Sequence, residues 1–205
     1  LTGDSQSAYL LRTAKYLNNL GHHIVLMNHR NCGTGYGMAR HPYNSGKGDD
    51  IGEVIRYLRQ KFKQHKIFFY GYSMSANAGL RLMAEPEVFF KQDFSTYLPD
   101  AAFISNPPIN LHQSSALLSQ GLNRIYEKYF IWGLKRLIRK QIKDHILDPK
   151  KIDLKKMKLK MKIKDFDNLF TAVYSGYKNA EDYYSKSSTY LKLKNISVPT
   201  LIITS

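Results

Sequence analysis

The sequence predicts an α/β fold in which a parallel sheet carries helices on both faces. Helical and strand-like stretches alternate along the first hundred residues, and such alternation requires crossover connections between parallel strands. Residues 66–80 pass directly from an aromatic and β-branched run into a run rich in Met, Ala and Leu. That change of composition predicts a buried strand followed at once by a helix.

Hydrophobic spacing predicts the elements in chain order. We expect a helix from Ser5 or Ser7 to about Leu20, a strand over 22–28, a helix over 47–63, the strand and helix of 66–85, and a strand over 100–106. Further on we expect basic helices within 110–147, helices over 166–174 and 180–184, and a strand over 198–205. Residues 156–164 alternate with a period of two, which favours a strand, but their Met, Leu and Lys favour a helix, and both interpretations stay open.

The composition is that of a globular domain with its own core, at 205 residues and 43% hydrophobic side chains. No apolar run approaches the roughly 20 residues that cross a bilayer, and no secretory signal is visible. The single cysteine, Cys32, excludes a disulfide within the chain and indicates a reducing compartment, so we expect a cytoplasmic protein. We interpret Cys32 as a small buried residue and not as a nucleophile.

The net charge of +15 is concentrated in the middle of the chain. Between Arg124 and Lys164 the sequence has 15 Lys or Arg and 4 Asp or Glu. Such a block is attracted to acidic surfaces, either anionic lipid or nucleic acid, and it is also compatible with a solvated helical face.

The tight turn of residues 66–80 contains Ser73, with Gly71 two residues before it and Ser75 two residues after it. A chain that bends so sharply needs small flanking side chains, and it holds the central serine in a strained conformation with its hydroxyl exposed. The following helix would point its first N–H groups at the same place, where an oxyanion could be stabilised. On this stretch alone, a serine that only caps the helix is an equal alternative.

A glycine-rich loop raises the possibility of a dinucleotide site, because Gly33 and Gly35 follow a predicted strand. The fingerprint needs a third glycine where Met38 stands, and Pro42 interrupts the helix that should follow. We therefore reject a nucleotide site here, and we expect no cofactor and no metal.

The elbow and five further blocks together resemble the family-4 branch of the α/β hydrolases, which groups bacterial esterases with eukaryotic abhydrolase-domain lipases and phospholipases. Residues 67–80 resemble its nucleophile elbow, Gly-x-Ser-x-Gly, with Ser75 at the last glycine. The other blocks are residues 1–7, 28–33, 43–50, 166–188 and 198–202, which keep the order and spacing of the family. Two departures are Asn31, where the family has glycine, and Asn44, where it has histidine.

The resemblance implies an α/β-hydrolase fold in three parts: a first part of the core over 1–109, a basic helical lid insertion over 110–165, and a return to the core over 166–205. It implies that Ser73 is the nucleophile toward a carboxylic ester, and that the backbone N–H groups of Met74 and Leu1 form the oxyanion hole. A small-molecule or lipid ester is the expected substrate.

In this family the catalytic acid and histidine follow the serine, and the resemblance puts both beyond Ser205. We therefore expect a chain that is incomplete at its N- and C-termini and inactive by itself. His29, His112 and His145 are not expected to replace the missing base.

The alternative function is a non-catalytic basic module that binds anionic membrane surfaces peripherally. We assign Tyr126, Tyr129, Phe130 and Trp132 to the core of the lid and not to a base-stacking platform, so nucleic acid is not an expected partner.

Overall fold

A sheet of three parallel strands lies at the centre of the computed structural model, which describes residues 3–158 and 160–204. The strands are β1 (Phe68–Tyr72), β2 (Ala101–Ser105) and β3 (Thr200–Ile203), in that spatial order. Phe68 pairs with Ala101 on one side of β2, and Ala102 pairs with Thr200 on the other. The predicted parallel sheet is confirmed.

Helices account for most of the remaining regular structure. They are α1 (Ala8–Asn19), α2 (Asp49–Lys61), α3 (Ser73–Ala84), α4 (Leu111–Leu118), α5 (Asn123–Lys143), α6 (Ile163–Phe166), α7 (Ala172–Ser175) and α8 (Ala180–Ser187). A π-helical segment, Asp167–Thr171, joins α6 to α7. Gly176 follows α7 as its C-cap, and its φ of +76° is the left-handed conformation that favours glycine. No helix in the described ranges is both long and apolar enough to span a bilayer.

The two faces of the sheet are covered to different extents. On one face, Ala102 and Ile104 of β2 pack against Ala76, Leu80 and Met83 of α3. Helix α2 extends this layer, because its Ile51 and Ile55 pack against Ala78 and Leu82 of α3. The opposite face contacts α1 where the hydroxyls of Tyr72 and Thr13 lie 2.8 Å apart, while Phe68 and Leu201 are exposed.

A second core lies under α5. Its buried members are Ile131, Ile138, Leu147, Ile152, Met157, Met161, Phe166, Phe170 and Tyr174. The segment 156–164, for which strand and helix were both open, is neither over most of its described length. Met157 and Met161 enter this core from a series of turns, and α6 begins only at Ile163.

The strand predicted over 22–28 is wrong. These residues form no ladder with any described strand, and Val25 is exposed. Apolar and β-branched residues favour extended backbone, but a strand also needs a hydrogen-bonded neighbour, which a local pattern does not supply. The other predicted strands and helices are present, with shifts of a few residues at their ends.

Candidate active site

Ser73 occupies the turn between β1 and α3 in a strained conformation. Its φ is +50°, a left-handed value that is rare for a residue with a Cβ atom. Its side chain is exposed, and its hydroxyl makes no hydrogen bond to any described residue. The N-cap position of α3 is Tyr72 and has no side-chain capping bond, so the structure does not use Ser73 as a cap.

Gly71 allows the strand and the helix to approach closely enough for this turn. A Cβ atom at Gly71 would lie 2.8 Å from Cα of Ala76, inside the contact distance of two carbon atoms. The first turn of α3 therefore packs directly on the end of β1, and Ser73 lies at the carboxyl end of the sheet.

A cavity of about 190 Å³ opens beside Ser73. Ser73 and Met74 line it at the elbow, and Pro108, after β2, lines it from the next strand. Most of its surface is apolar. The apolar walls are formed by Leu111, Leu118, Phe130, Leu134, Leu137, Ile138, Ile163, Phe166 and Phe170. An exposed hydroxyl therefore lies at the edge of a pocket suited to hydrocarbon.

Of the two residues expected to supply oxyanion donors, Met74 is among the described residues and Leu1 is not. Met74 is the second residue of α3, so its N–H is one of the first-turn donors that have no acceptor within the helix. Leu1 lies outside the described residues. Among the described residues of its segment, Ser5 donates its N–H to Oδ1 of Asn28 at 2.8 Å.

Ser75, which replaces the usual glycine of the elbow, has a specific partner. Its hydroxyl lies 2.7 Å from Nε2 of His29. Burial lowers the pKa of His29, and its ring stacks on Tyr43 with 4.9 Å between ring centroids. The extra hydroxyl thus ties the elbow to the Asn-His-Arg block, an arrangement that the elbow motif by itself did not indicate.

No histidine lines the cavity among the described residues. His112 is bound to Glu181, with 3.0 Å between Nδ1 and the carboxylate, and its Nε2 lies 3.3 Å from the Ser185 hydroxyl. His145 follows the end of α5 with a φ of +58°. Among the described residues, no imidazole therefore reaches Ser73 from the side of the cavity.

Sequence patterns did not single out two charged groups of the site, Arg30 and Asp167. Arg30 lines the cavity and donates two hydrogen bonds to Asp50, at 2.7 and 2.6 Å, which raises the pKa of Arg30. Asp50 lies in the first turn of α2, where the helix dipole stabilises a carboxylate. The pair anchors the loop after residue 28 to α2.

Asp167 is a buried carboxyl group in the cavity wall. It accepts hydrogen bonds from the hydroxyls of Thr171 at 2.6 Å and Tyr184 at 2.7 Å. Burial raises the pKa of Asp167 to about 6, and the two hydrogen bonds oppose this effect. The sequence places Asp167 in the family block 166–188 but does not indicate its burial, because a lone Asp in a helical stretch is normally solvated.

Curated proteins match nearly the whole chain. An abhydrolase domain-containing protein of Dictyostelium discoideum is 31% identical over 207 residues, covering 99% of this chain and 50% of that protein. A monoacylglycerol lipase of Saccharomyces cerevisiae is 28% identical over 214 residues, covering 99% and 45%. The chain is similar over nearly its whole length to members of the α/β-hydrolase superfamily. Phospholipase ABHD3 of Mus musculus is 26% identical over 204 residues, covering 99% of this chain and 47% of the phospholipase.

The chain spans about half the length of the curated relatives it matches. No family model matches it, and no solved structure does. The predicted relationship to eukaryotic abhydrolase lipases is confirmed by the matches, as is the fold.

Proposed function

We propose that this α/β hydrolase cleaves carboxylic esters with Ser73 as its nucleophile. The observation that carries the proposal is the position of Ser73: its backbone is strained, and its exposed hydroxyl lies at the edge of an apolar cavity. Matches to proteins named monoacylglycerol lipase and phospholipase support the same chemistry.

In the proposed reaction, Oγ of Ser73 attacks the carbonyl carbon and its proton passes to a general base. The alcohol leaves with a proton, and water then hydrolyses the acyl-enzyme to release the acid. The Met74 N–H stabilises the negative charge on the carbonyl oxygen, a donor of a kind worth about 3 kcal/mol in the transition state. Leu1 is the proposed second donor. The base and its acidic partner are proposed to lie outside the 205 residues.

Residues 110–165 are proposed to form a lid between the core segments 1–109 and 166–205. Helix α5 supplies Phe130, Leu134, Leu137 and Ile138 to the cavity wall opposite Ser73 and Met74. An acyl chain fits the apolar character of this wall, so the substrates are proposed to be acyl or lipid-like esters.

Labelling with a fluorophosphonate probe tests the nucleophile in the full-length protein. We expect the probe to label the wild type and to lose at least nine-tenths of its signal after Ser73→Ala, because the probe reacts only with an activated serine. Ser114→Ala is the matched control, since Ser114 lines the same cavity away from the elbow. Labelling that survives in Ser73→Ala, or its absence from the intact wild type, would contradict the proposal.

A second candidate function is peripheral contact with an anionic membrane. The cationic side chains Arg124, Lys128, Arg136, Arg139, Lys140 and Lys143 of α5 are all exposed. None of them forms an ion pair with a carboxylate in the described part of the chain, so their charge is available to an acidic surface. Sedimentation with vesicles tests this contact: binding should require anionic lipid and should weaken as salt is added.

A further inference from the structure

Helix α5 is apolar on two sides, and only one side is packed. Its inner side contributes Ile131 and Ile138 to the core. Its outer side carries five large apolar or aromatic residues that are between 50% and 82% exposed: Leu122, Ile125, Tyr126, Tyr129 and Trp132. The prediction that Tyr126, Tyr129 and Trp132 belong to a lid core is therefore wrong, and among the four aromatics only Phe130 lines the cavity.

These five residues, called the α5 outer face below, form one continuous stripe. Each of them lies three or four residues from another member of the set, which places them on the same side of a helix with 3.6 residues per turn. A surface helix of a globular protein normally carries polar residues on the side away from its core. A contiguous exposed stripe of this kind marks an interaction surface.

The same side of α5 becomes basic towards its C-terminal end. Arg136, Lys140 and Lys143 continue the stripe, and the guanidinium carbon of Arg136 lies 5.7 Å from the centroid of the Trp132 ring. Glu127 is the helix's single carboxylate, and it is buried on the inner side, where it accepts hydrogen bonds from Ser119 and the Ile163 N–H. Within Asn123–Lys143 the outer side of α5 thus combines apolar and cationic groups with no anion, and the first carboxylate after it is Asp144 at the C-cap, which accepts a hydrogen bond from the Tyr36 hydroxyl.

We propose that the α5 outer face inserts into the headgroup region of an anionic lipid bilayer. Tyr and Trp prefer the interface between hydrocarbon and water, and Leu and Ile gain from burial among acyl chains. Arg136, Lys140 and Lys143 would lie among anionic headgroups, where each cation strengthens binding. The uncompensated positive charge beside the apolar stripe is what selects an anionic membrane over a neutral protein partner.

This docking also orients the cavity. The inner side of α5 lines the cavity beside Ser73, so the cavity would lie about one helix diameter, on the order of 10 Å, from the lipid surface. The inference rests on the membrane contact proposed above, and it identifies the helix that separates lipid from the proposed nucleophile.

Fluorescence of Trp132 gives a direct test, because it is the single tryptophan of the 205 residues. The protein, carrying Ser73→Ala to exclude any effect of hydrolysis, is mixed with phosphatidylcholine vesicles with and without phosphatidylglycerol. We expect a shift of the emission to shorter wavelength with the anionic vesicles. Subtracting the spectrum of Trp132→Phe isolates the signal of this side chain.

Two exposed tyrosines provide a matched pair of variants. Tyr129 in the stripe and Tyr16 in α1 are each 65% exposed. Tyr129→Asp should weaken vesicle binding about tenfold by sedimentation, since it replaces an inserting aromatic with a charge. Tyr16→Asp should leave binding unchanged. Circular dichroism and the melting temperature check that both variants fold, and Ile125→Asp repeats the test at a second position of the stripe.

The outcomes separate this inference from the proposals on which it stands. Binding to anionic vesicles without an emission shift would overturn insertion of the α5 outer face, while membrane contact through the cations would stand. No binding at all would overturn both, and neither result bears on the fluorophosphonate labelling of Ser73. A lower molar mass for Tyr129→Asp than for the wild type without lipid would show that a second copy covers this face, which also overturns the inference.

Discussion

Asp167 shows how strongly one residue's surroundings change its chemistry. Its carboxyl group is buried in the cavity wall, and burial raises its pKa to about 6 from an ordinary value of 3.8. The folded protein therefore binds this proton more tightly than the unfolded chain does. Stability contributed by the group is fully present below pH 3.8 and is lost as the pH rises to about 6.

We expect this loss to disappear in Asp167→Asn. The difference between the two pKa values corresponds to about 3 kcal/mol of unfolding free energy. Urea denaturation at pH 4 and pH 7 should show the wild type losing up to that amount relative to Asp167→Asn. Thr171→Val removes one donor to the carboxylate and should enlarge the loss. Equal pH dependence in the wild type and in Asp167→Asn would show that Asp167 does not titrate in this range.

At the scale of elements, α5 and the strand–Ser73–helix turn determine the shape of the cavity. Leu134 extends from α5 into the cavity wall, and it also packs against the core beneath the helix. The length of an acyl chain that fits should therefore depend on the size of this side chain.

Leu134→Trp should shift substrate preference towards short acyl chains. The larger ring fills space that the proposed substrate would occupy, and each excluded methylene loses about 0.8 kcal/mol of burial. The ratio of kcat/KM for dodecanoyl to butanoyl nitrophenyl esters should fall roughly tenfold. Leu117→Trp is the control, because Leu117 is exposed on α4 and does not line the cavity. An unchanged ratio in a folded Leu134→Trp protein would place the acyl chain elsewhere.

At the scale of the whole molecule, Asn77 of α3 joins segments that are far apart in the chain. Its side-chain N–H groups donate to the carbonyl and hydroxyl oxygens of Ser45 and to the Ser187 carbonyl, at 2.9 to 3.0 Å. Its oxygen accepts from the Thr189 hydroxyl at 2.7 Å, and the residue is fully buried. One amide therefore holds the elbow helix, the loop before α2 and the end of α8 together.

Asn77→Ala should lower the free energy of unfolding by about 2 to 4 kcal/mol, because it leaves several buried polar groups without partners. Asn18→Ala should change it by less than about 0.5 kcal/mol, since Asn18 makes one exposed hydrogen bond to the His22 carbonyl. Chemical denaturation of both variants measures the difference. Similar midpoints for the two would show that the Asn77 network does not stabilise the fold.

The local features of this protein could be predicted from its sequence. The change from β-branched to helix-forming residues around Ser73 predicted β1, the turn and α3, because strand and helix preferences act over a few neighbouring residues. The blocks in their family order predicted the superfamily. Cys32 was predicted to be buried, and its burial raises the pKa of its thiol to about 11.

Which surfaces meet became clear from the three-dimensional arrangement of the elements. The apolar run at 22–28 has no ladder partner among the described strands, and the aromatics of α5 divide between a cavity wall and an exposed face. The pairing of Ser75 with His29 and the burial of Asp167 join residues distant in the chain. Hydrophobic periodicity shows which side of a helix is apolar. Whether that side is buried depends on which other elements pack against it.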